Sequence, residues 1–267
     1  MECEVGPQTK GSERVWYQSF VDPVDQSPYI ARLQSTLDAI ASESIKFEVH
    51  GLSPPDSHFH PLTEFRCAAQ TIRLAIEAER LGYSAFVIGH FQEPGLRECR
   101  GSVDIPVIGL GEAALLSACT MGRKIALVTI DPAFIDWHER QIAELGLFSR
   151  IVGVRAIRTG LDDFMQAFTD RAAYARVREN FIEQVRPLVT AGADVIVPAG
   201  GLPMLLFCHE RPFTIDGSLV LSGIPVVAKA AETALALHRL MGAVVSRRGA
   251  FAKASPEAIE EFMSRHW

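Results

Sequence analysis

The sequence predicts two similar α/β domains built on parallel sheets, with a small-molecule site in the cleft between them. Short β-branched runs alternate with stretches of helical periodicity, the signature of parallel strands covered by helices. The strands fall into two groups, starting near 14, 45, 85 and 105 and near 124, 151, 194 and 224. Apolar residues make up 48% and charged residues 22% of 267 positions, enough for a substantial core in one large or two ordinary domains. The expected division joins 1–110 and 222–267 in one domain and leaves 111–221 as the other.

In the first group, 14–20 reads as a strand. A helix follows over 29–42, with Ile30, Leu33, Leu37 and Ile40 on one face. A second strand covers 45–52, and 53–61 is a loop rich in Pro and His. Thr63 can cap a helix that runs to about Leu81 and stops at Gly82. The apolar runs 85–89 and 105–110 read as buried strands, with a helix from Gly111 through Met121.

In the second group, 124–130 is a strand and Asp131-Pro132 opens a helix that ends at Gly146, Asp as cap and Pro at the first turn. The stretch 151–157 is again a strand. Helices are expected over 161–169 and 171–191, the latter interrupted or bent near Pro187. A strand over 194–197 turns at Pro198-Ala199-Gly200-Gly201 into a short helix over 203–209. The run 224–228 reads as the last strand, leading to a helix ending near Gly242, and Ser255-Pro256 starts a final helix.

A net charge of −6 argues against a nucleic-acid or anionic-membrane surface. No apolar run reaches the roughly 20 residues needed to span a bilayer, and the first twelve residues carry no leader-like apolar segment, so a cytoplasmic protein is expected. Cys3, Cys67, Cys99, Cys119 and Cys208 are scattered, without a CxxC pair, and read as reduced thiols.

Ligands in open parallel sheets sit beyond the carboxyl ends of the strands. That rule nominates the loops 20–27, 52–61, 89–96, 129–133 and 198–203. His90 stands at such an end, where an imidazole can work as general acid or base; the plainer reading is a hydrogen bond within its loop. Glu93 could orient that imidazole or be a solvated loop carboxylate. His58 and His60 could bind substrate, contribute to a metal site or be polar surface. Thr129, with the helix start after it, and Gln18 and Ser19 could hold a substrate carboxylate. Trp137, His138 and His238 lie inside helices and read as packing or partner residues.

Three stretches carry a family resemblance: Val87-Ile88-Gly89-His90-Phe91-Gln92-Glu93-Pro94-Gly95-Leu96, Val103-Asp104-Ile105-Pro106-Val107-Ile108-Gly109-Leu110-Gly111-Glu112-Ala113-Ala114, and Ala191-Gly192-Ala193-Asp194-Val195-Ile196-Val197. Over about 84–240 the chain resembles the aspartate/glutamate/hydantoin racemase superfamily, in its hydantoin-racemase-like branch. That implies Rossmann- or flavodoxin-like domains related by a pseudo-twofold, no cofactor or metal, and a homo-oligomer. The superfamily's mechanism holds a carbon acid between two cysteine thiols, with backbone amides and hydroxyls binding the carboxylate or carbonyl. Here the first cysteine position falls on His90 and the second at or next to Gly200, with Gly201 the alternative; no cysteine of this chain lands on either. Cys99 reads as packing, and Cys208 lies about two turns past the second position.

The expected site therefore has His90 and Glu93 for proton transfer, with Gln18, Ser19, His58, His60, Phe91, Thr129, Gly200 and Gly201 around the substrate. Glycine at the second position offers backbone N–H donors and room but no acid or base. The preferred function is a racemase-like isomerase acting next to the carbonyl of a small carboxylate or cyclic amide. A cofactor-free decarboxylase, a hydrolase, and a non-catalytic carboxylate-binding protein are the alternatives.

Overall fold

The structure, a computed structural model, describes residues 12–21, 28–157, 159–242 and 244–265. Cys3 and the 22–27 part of the first nominated loop lie outside them. The first sheet is formed by β1 (Glu13–Gln18), β2 (Ile45–His50), β3 (Ala85–Ile88) and β4 (Val107–Gly109), parallel and in the order β2-β1-β3-β4. Its helices are α1 (Pro28–Ile40), α2 (Pro61–Arg80) and α3 (Leu96–Ser102). Next, α4 (Leu110–Met121) leads into a second sheet of β5 (Ile125–Thr129), β6 (Ile151–Ala156), β7 (Val195–Ala199), β8 (Thr214–Ile215) and β9 (Ser218–Val220). The order there is β6-β5-β7-β9-β8, parallel except for the antiparallel edge strand β8. Interleaved are α5 (Ile135–Glu144), α6 (Leu161–Ala167), α7 (Arg171–Thr190) and α8 (Gly201–Leu206), followed by α9 (Gly223–Met241) and α10 (Pro256–Ser264). No described helix is long and apolar enough to cross a membrane.

Both faces of the central strands are buried, which explains their continuous apolar runs. In β1, Val15 and Tyr17 join the main core shared by the two sheets, while Trp16 packs in a second cluster under α2 with Phe86, Ile88 and Cys99. The C-terminal helix covers that second cluster through Ile259, Phe262 and Met263, and Arg73 binds the carbonyls of Phe262 and Met263. α9 returns from the second sheet to pack against α1, β3, β4 and α4.

The expected strand over 224–228 is a correction: these residues form the start of α9. Ile224, Val227, Ala228, Ala231 and Leu235 are among its buried residues, a helical spacing, and Pro225 lies in the first turn, where a missing N–H costs nothing. The strand that pairs with β7 is instead the three-residue β9. The strand expected over 105–110 shrinks to 107–109, because Leu110 already begins α4. α3 follows the turn at Gly95, which takes a positive φ of 80°. α7 runs uninterrupted through Pro187.

Candidate functional site

The carboxyl ends of β1, β3, β5 and β7 converge on a cavity of about 270 Å³. Ser19 and Phe20 follow β1, Gly89 and His90 follow β3, Ile130 follows β5, and Gly200 and Gly201 follow β7. The loop before α2 contributes Asp56 and Phe59, and Phe134, Leu161 and Met165 complete an apolar far wall. Among the described residues neither lysine nor arginine lines this cavity; the charged side chains there are His90, Asp56 and Asp162.

His90 is the centre of its polar wall. Its Nε2 lies 3.5 Å from Asp56 Oδ2 and 3.8 Å from Glu64 Oε1. Phe20 flanks the ring at 4.5 Å and Phe134 at 6.4 Å, centroid to centroid. Burial opposes the imidazolium, but the Glu64 and Asp56 carboxylates outweigh it and raise the pKa above the ordinary histidine value. Burial likewise works against the Asp56 carboxylate, yet the His90 contacts hold its pKa below the usual range. Glu64 is pushed upward, by burial first and also by the nearby Asp56 charge. His90 Nδ1 has no hydrogen-bond partner.

Asp56 and Glu64 were not among the residues singled out from sequence. Asp56 sits in a nominated loop, where the neighbouring His58 and His60 are the more conspicuous side chains. Glu64 occupies the first turn of α2, a place where an acid also has an ordinary helix-dipole explanation. Neither histidine reaches the cavity lining. His58 is exposed, and His60 caps α2, its Nδ1 accepting from the Leu62 amide at 3.1 Å.

The other expected contacts divide. Ser19, Phe91, Gly200 and Gly201 line the cavity. Gln18 and Thr129 are fully buried and spent on internal bonds. Gln18 accepts from the Trp16 indole and donates to the carbonyls of Ser19 and Gly51. The Thr129 hydroxyl donates to the Ala199 carbonyl and lies 3.0 Å from His138 Nε2. His138 is a packed, neutral imidazole, its pKa lowered by burial to about 3. The amide of Gly200 donates to the Pro198 carbonyl at 2.9 Å, so it is not a free donor for substrate.

Glu93 neither orients His90 nor faces solvent. One carboxylate oxygen accepts from the Glu112 amide at 2.7 Å, and the other accepts from Gln141 Nε2 at 2.8 Å. The same Gln141 amide donates to the Phe91 carbonyl, so this side chain of α5 fastens the His90 loop to the second half of the molecule. The bare backbone of Gly109 and Gly111 makes this possible. A Cβ would stand 1.9 Å from Glu93 Oε1 at the first and 2.2 Å from the Phe91 carbonyl at the second. Glu112 itself is held by Arg100 in a two-pronged ion pair. The Gly-Leu-Gly-Glu-Ala motif is thus a packing device that positions the His90 loop.

Two parallel-sheet halves meeting at a cleft, with their strand ends directed into it, define an architecture also seen in allantoin and glutamate racemases. The Asp/Glu/Hydantoin racemase family model matches residues 28–243, and the chain belongs to that family. It is 29% identical to a hydantoin racemase of Rhizobium meliloti over 159 residues, 60% of this chain and 63% of that one. Over 88 residues it is 30% identical to a hydantoin racemase of Pseudomonas sp. (strain NS671), 33% of this chain and 35% of the relative. The matched stretches therefore span less than two thirds of either relative. Among solved structures, an allantoin racemase from Klebsiella pneumoniae superposes with a TM-score of 0.72 at 20% identity, covering 91% of this chain and 94% of that one. A glutamate racemase from Bacillus anthracis gives 0.62 at 14% identity, over 89% and 85%.

Proposed function

We propose that this chain is a racemase-type isomerase that moves a proton at the carbon next to a carbonyl of a small, uncharged cyclic amide bearing an apolar substituent. The observation that carries this reading is His90, backed by Asp56 and Glu64, at the carboxyl end of β3 in the cavity, the position that the resemblance gives to the family's first thiol. The carboxylates keep a proton on Nε2 and leave Nδ1 as the base, the logic by which a carboxylate fixes a histidine tautomer. The Nδ1 lone pair takes the C–H proton, the C–H electron pair passes into the enolate, and the imidazolium returns a proton to carbon. Raising the imidazole pKa makes it a stronger base for a weakly acidic C–H bond.

The lining supports the choice of substrate class. A dicarboxylate would meet Asp56 and Asp162 with no lysine or arginine among the described lining residues, whereas a neutral ring with an apolar substituent matches Phe20, Phe134, Leu161 and Met165. The same observation weighs against decarboxylation of a malonate-like dianion. Gly200, at the position expected for the second proton carrier, supplies no acid or base of its own, so exchange at carbon should outrun inversion. The test is incubation of 5-substituted hydantoins, aspartate, glutamate and substituted malonates with the protein in deuterated water. Deuterium entering the hydantoin C5 position faster than optical activity decays is the expected result. Carbon dioxide release from malonates, exchange confined to the dicarboxylic amino acids, or tight carboxylate binding without any exchange would overturn the proposal.

A further inference from the structure

Asp56, Glu64 and His90 present one donor atom each within 4.8 Å of one another. Their spacing is unusual for hydrogen bonding, since Nε2 is 3.5 Å from one carboxylate and 3.8 Å from the other. Neither oxygen of Asp56 nor Oε1 of Glu64 has a hydrogen-bond partner, although the Asp56 side chain is only 2% exposed. Buried carboxylate oxygens without donors are costly, and a cation placed among them removes that cost. A four-coordinate zinc with bonds of about 2.0–2.2 Å keeps its donors about 3.3–3.6 Å apart, close to the separations found here.

We propose that Asp56, Glu64 and His90 form a binding site for a divalent transition-metal ion. One imidazole and two carboxylates are suited to zinc, manganese or iron, and too few oxygens converge for calcium. Asp56 and His90 line the cavity, so an ion held by the three side chains would sit at its polar wall. This goes beyond the proton-transfer reading and constrains it. An ion on Nε2 displaces the proton that the carboxylates otherwise hold there, and the tautomer it fixes carries its proton on Nδ1. The ion and His90-based proton transfer therefore exclude one another, and the cation acts as an inhibitor.

The experiment titrates zinc chloride into chelator-stripped protein by calorimetry. One saturable site per chain is expected, weakened at least about tenfold by Glu64→Gln and by Asp56→Asn, in line with the sensitivity of metal sites to their supporting groups. His58→Ala, at an exposed position outside the cluster, should leave it unchanged. Circular dichroism identifies any variant that fails to fold, and for such a variant cobalt(II) absorption of the wild type against His90→Gln supplies the second measurement. Unsaturable binding, affinity unchanged in Glu64→Gln, or loss in His58→Ala would overturn the site. Deuterium exchange is followed in parallel. Inhibition by zinc at the concentrations that fill the site supports exclusion, and binding that leaves exchange untouched refutes it. Exchange abolished by chelation and restored by zinc would keep the site but overturn His90 as the proton carrier.

Discussion

Glu93→Gln gives a pH-dependent stability change whose size follows from the burial of this carboxyl. Burial drives its pKa from an ordinary 4.5 to about 7, against the partly compensating bonds from the Glu112 amide and Gln141. A raised acid pKa means that the native state holds its proton more tightly than the unfolded chain. The associated stability is fully present below pH 4.5 and is lost as pH rises through about 7, because the unfolded chain ionises first. At about 1.4 kcal/mol per pKa unit, Glu93 makes the native state lose about 2.5 kcal/mol between pH 5 and pH 8. Glutamine cannot ionise, so the variant is spared that loss. Its fixed cost, from an amide facing donors, is the same at both pH values. Urea unfolding of both proteins at pH 5 and pH 8 isolates the effect, since every other titrating group cancels in the difference. A stability gap between the two proteins that stays constant from pH 5 to pH 8 would refute the reasoning and show that the two donors hold Glu93 ionised throughout.

Two further substitutions probe the walls of the cavity. Gly201→Ala places a Cβ 2.8 Å from the Tyr29 hydroxyl and 3.1 Å from the Gly89 carbonyl, whereas Gly200→Ala meets only Pro203 Cδ at 3.2 Å as its nearest atom. Thermal unfolding should show the first costing about 1–3 kcal/mol, as overpacking does, and the second less than about 1 kcal/mol. Thr129→Val leaves the Ala199 carbonyl without its hydroxyl donor and should cost about 1–3 kcal/mol by denaturant unfolding. Because Thr129 is not part of the cavity lining, the substrate KM of that variant should stay close to wild type.

The strands β1 to β7 were legible because burial on two faces leaves apolar runs such as Ala85–Ile88 and the one that opens β5, whereas the short β8 and β9 carry no such run. That same signal misled at 224–228, since a short apolar run has no period of its own and the helical spacing of α9 shows only once Ala231 and Leu235 are included. His90 was legible from its place after an apolar strand. Its carboxylate partners were not, because Asp56 and Glu64 lie 34 and 26 residues upstream and meet it only through the register of β3 against β1 and the docking of α2. Thr129 and Gln18 sit at strand ends as the rule for parallel sheets requires, but the direction of their side chains follows from neighbours that the sequence does not display: His138 for one, Trp16 and Gly51 for the other. Glu93, three residues from His90, is turned away by a positive φ of 56°.

The most direct test of the account is the rate of C5 deuterium incorporation into a single enantiomer of an apolar 5-substituted hydantoin, measured for wild type and His90→Gln. Glutamine retains a polar group at the strand end but cannot shuttle a proton at carbon. The account predicts a fall of about 10²–10⁴-fold, the usual contribution of a general acid–base group, with the unfolding transition retained. Exchange that continues undiminished in His90→Gln would contradict it.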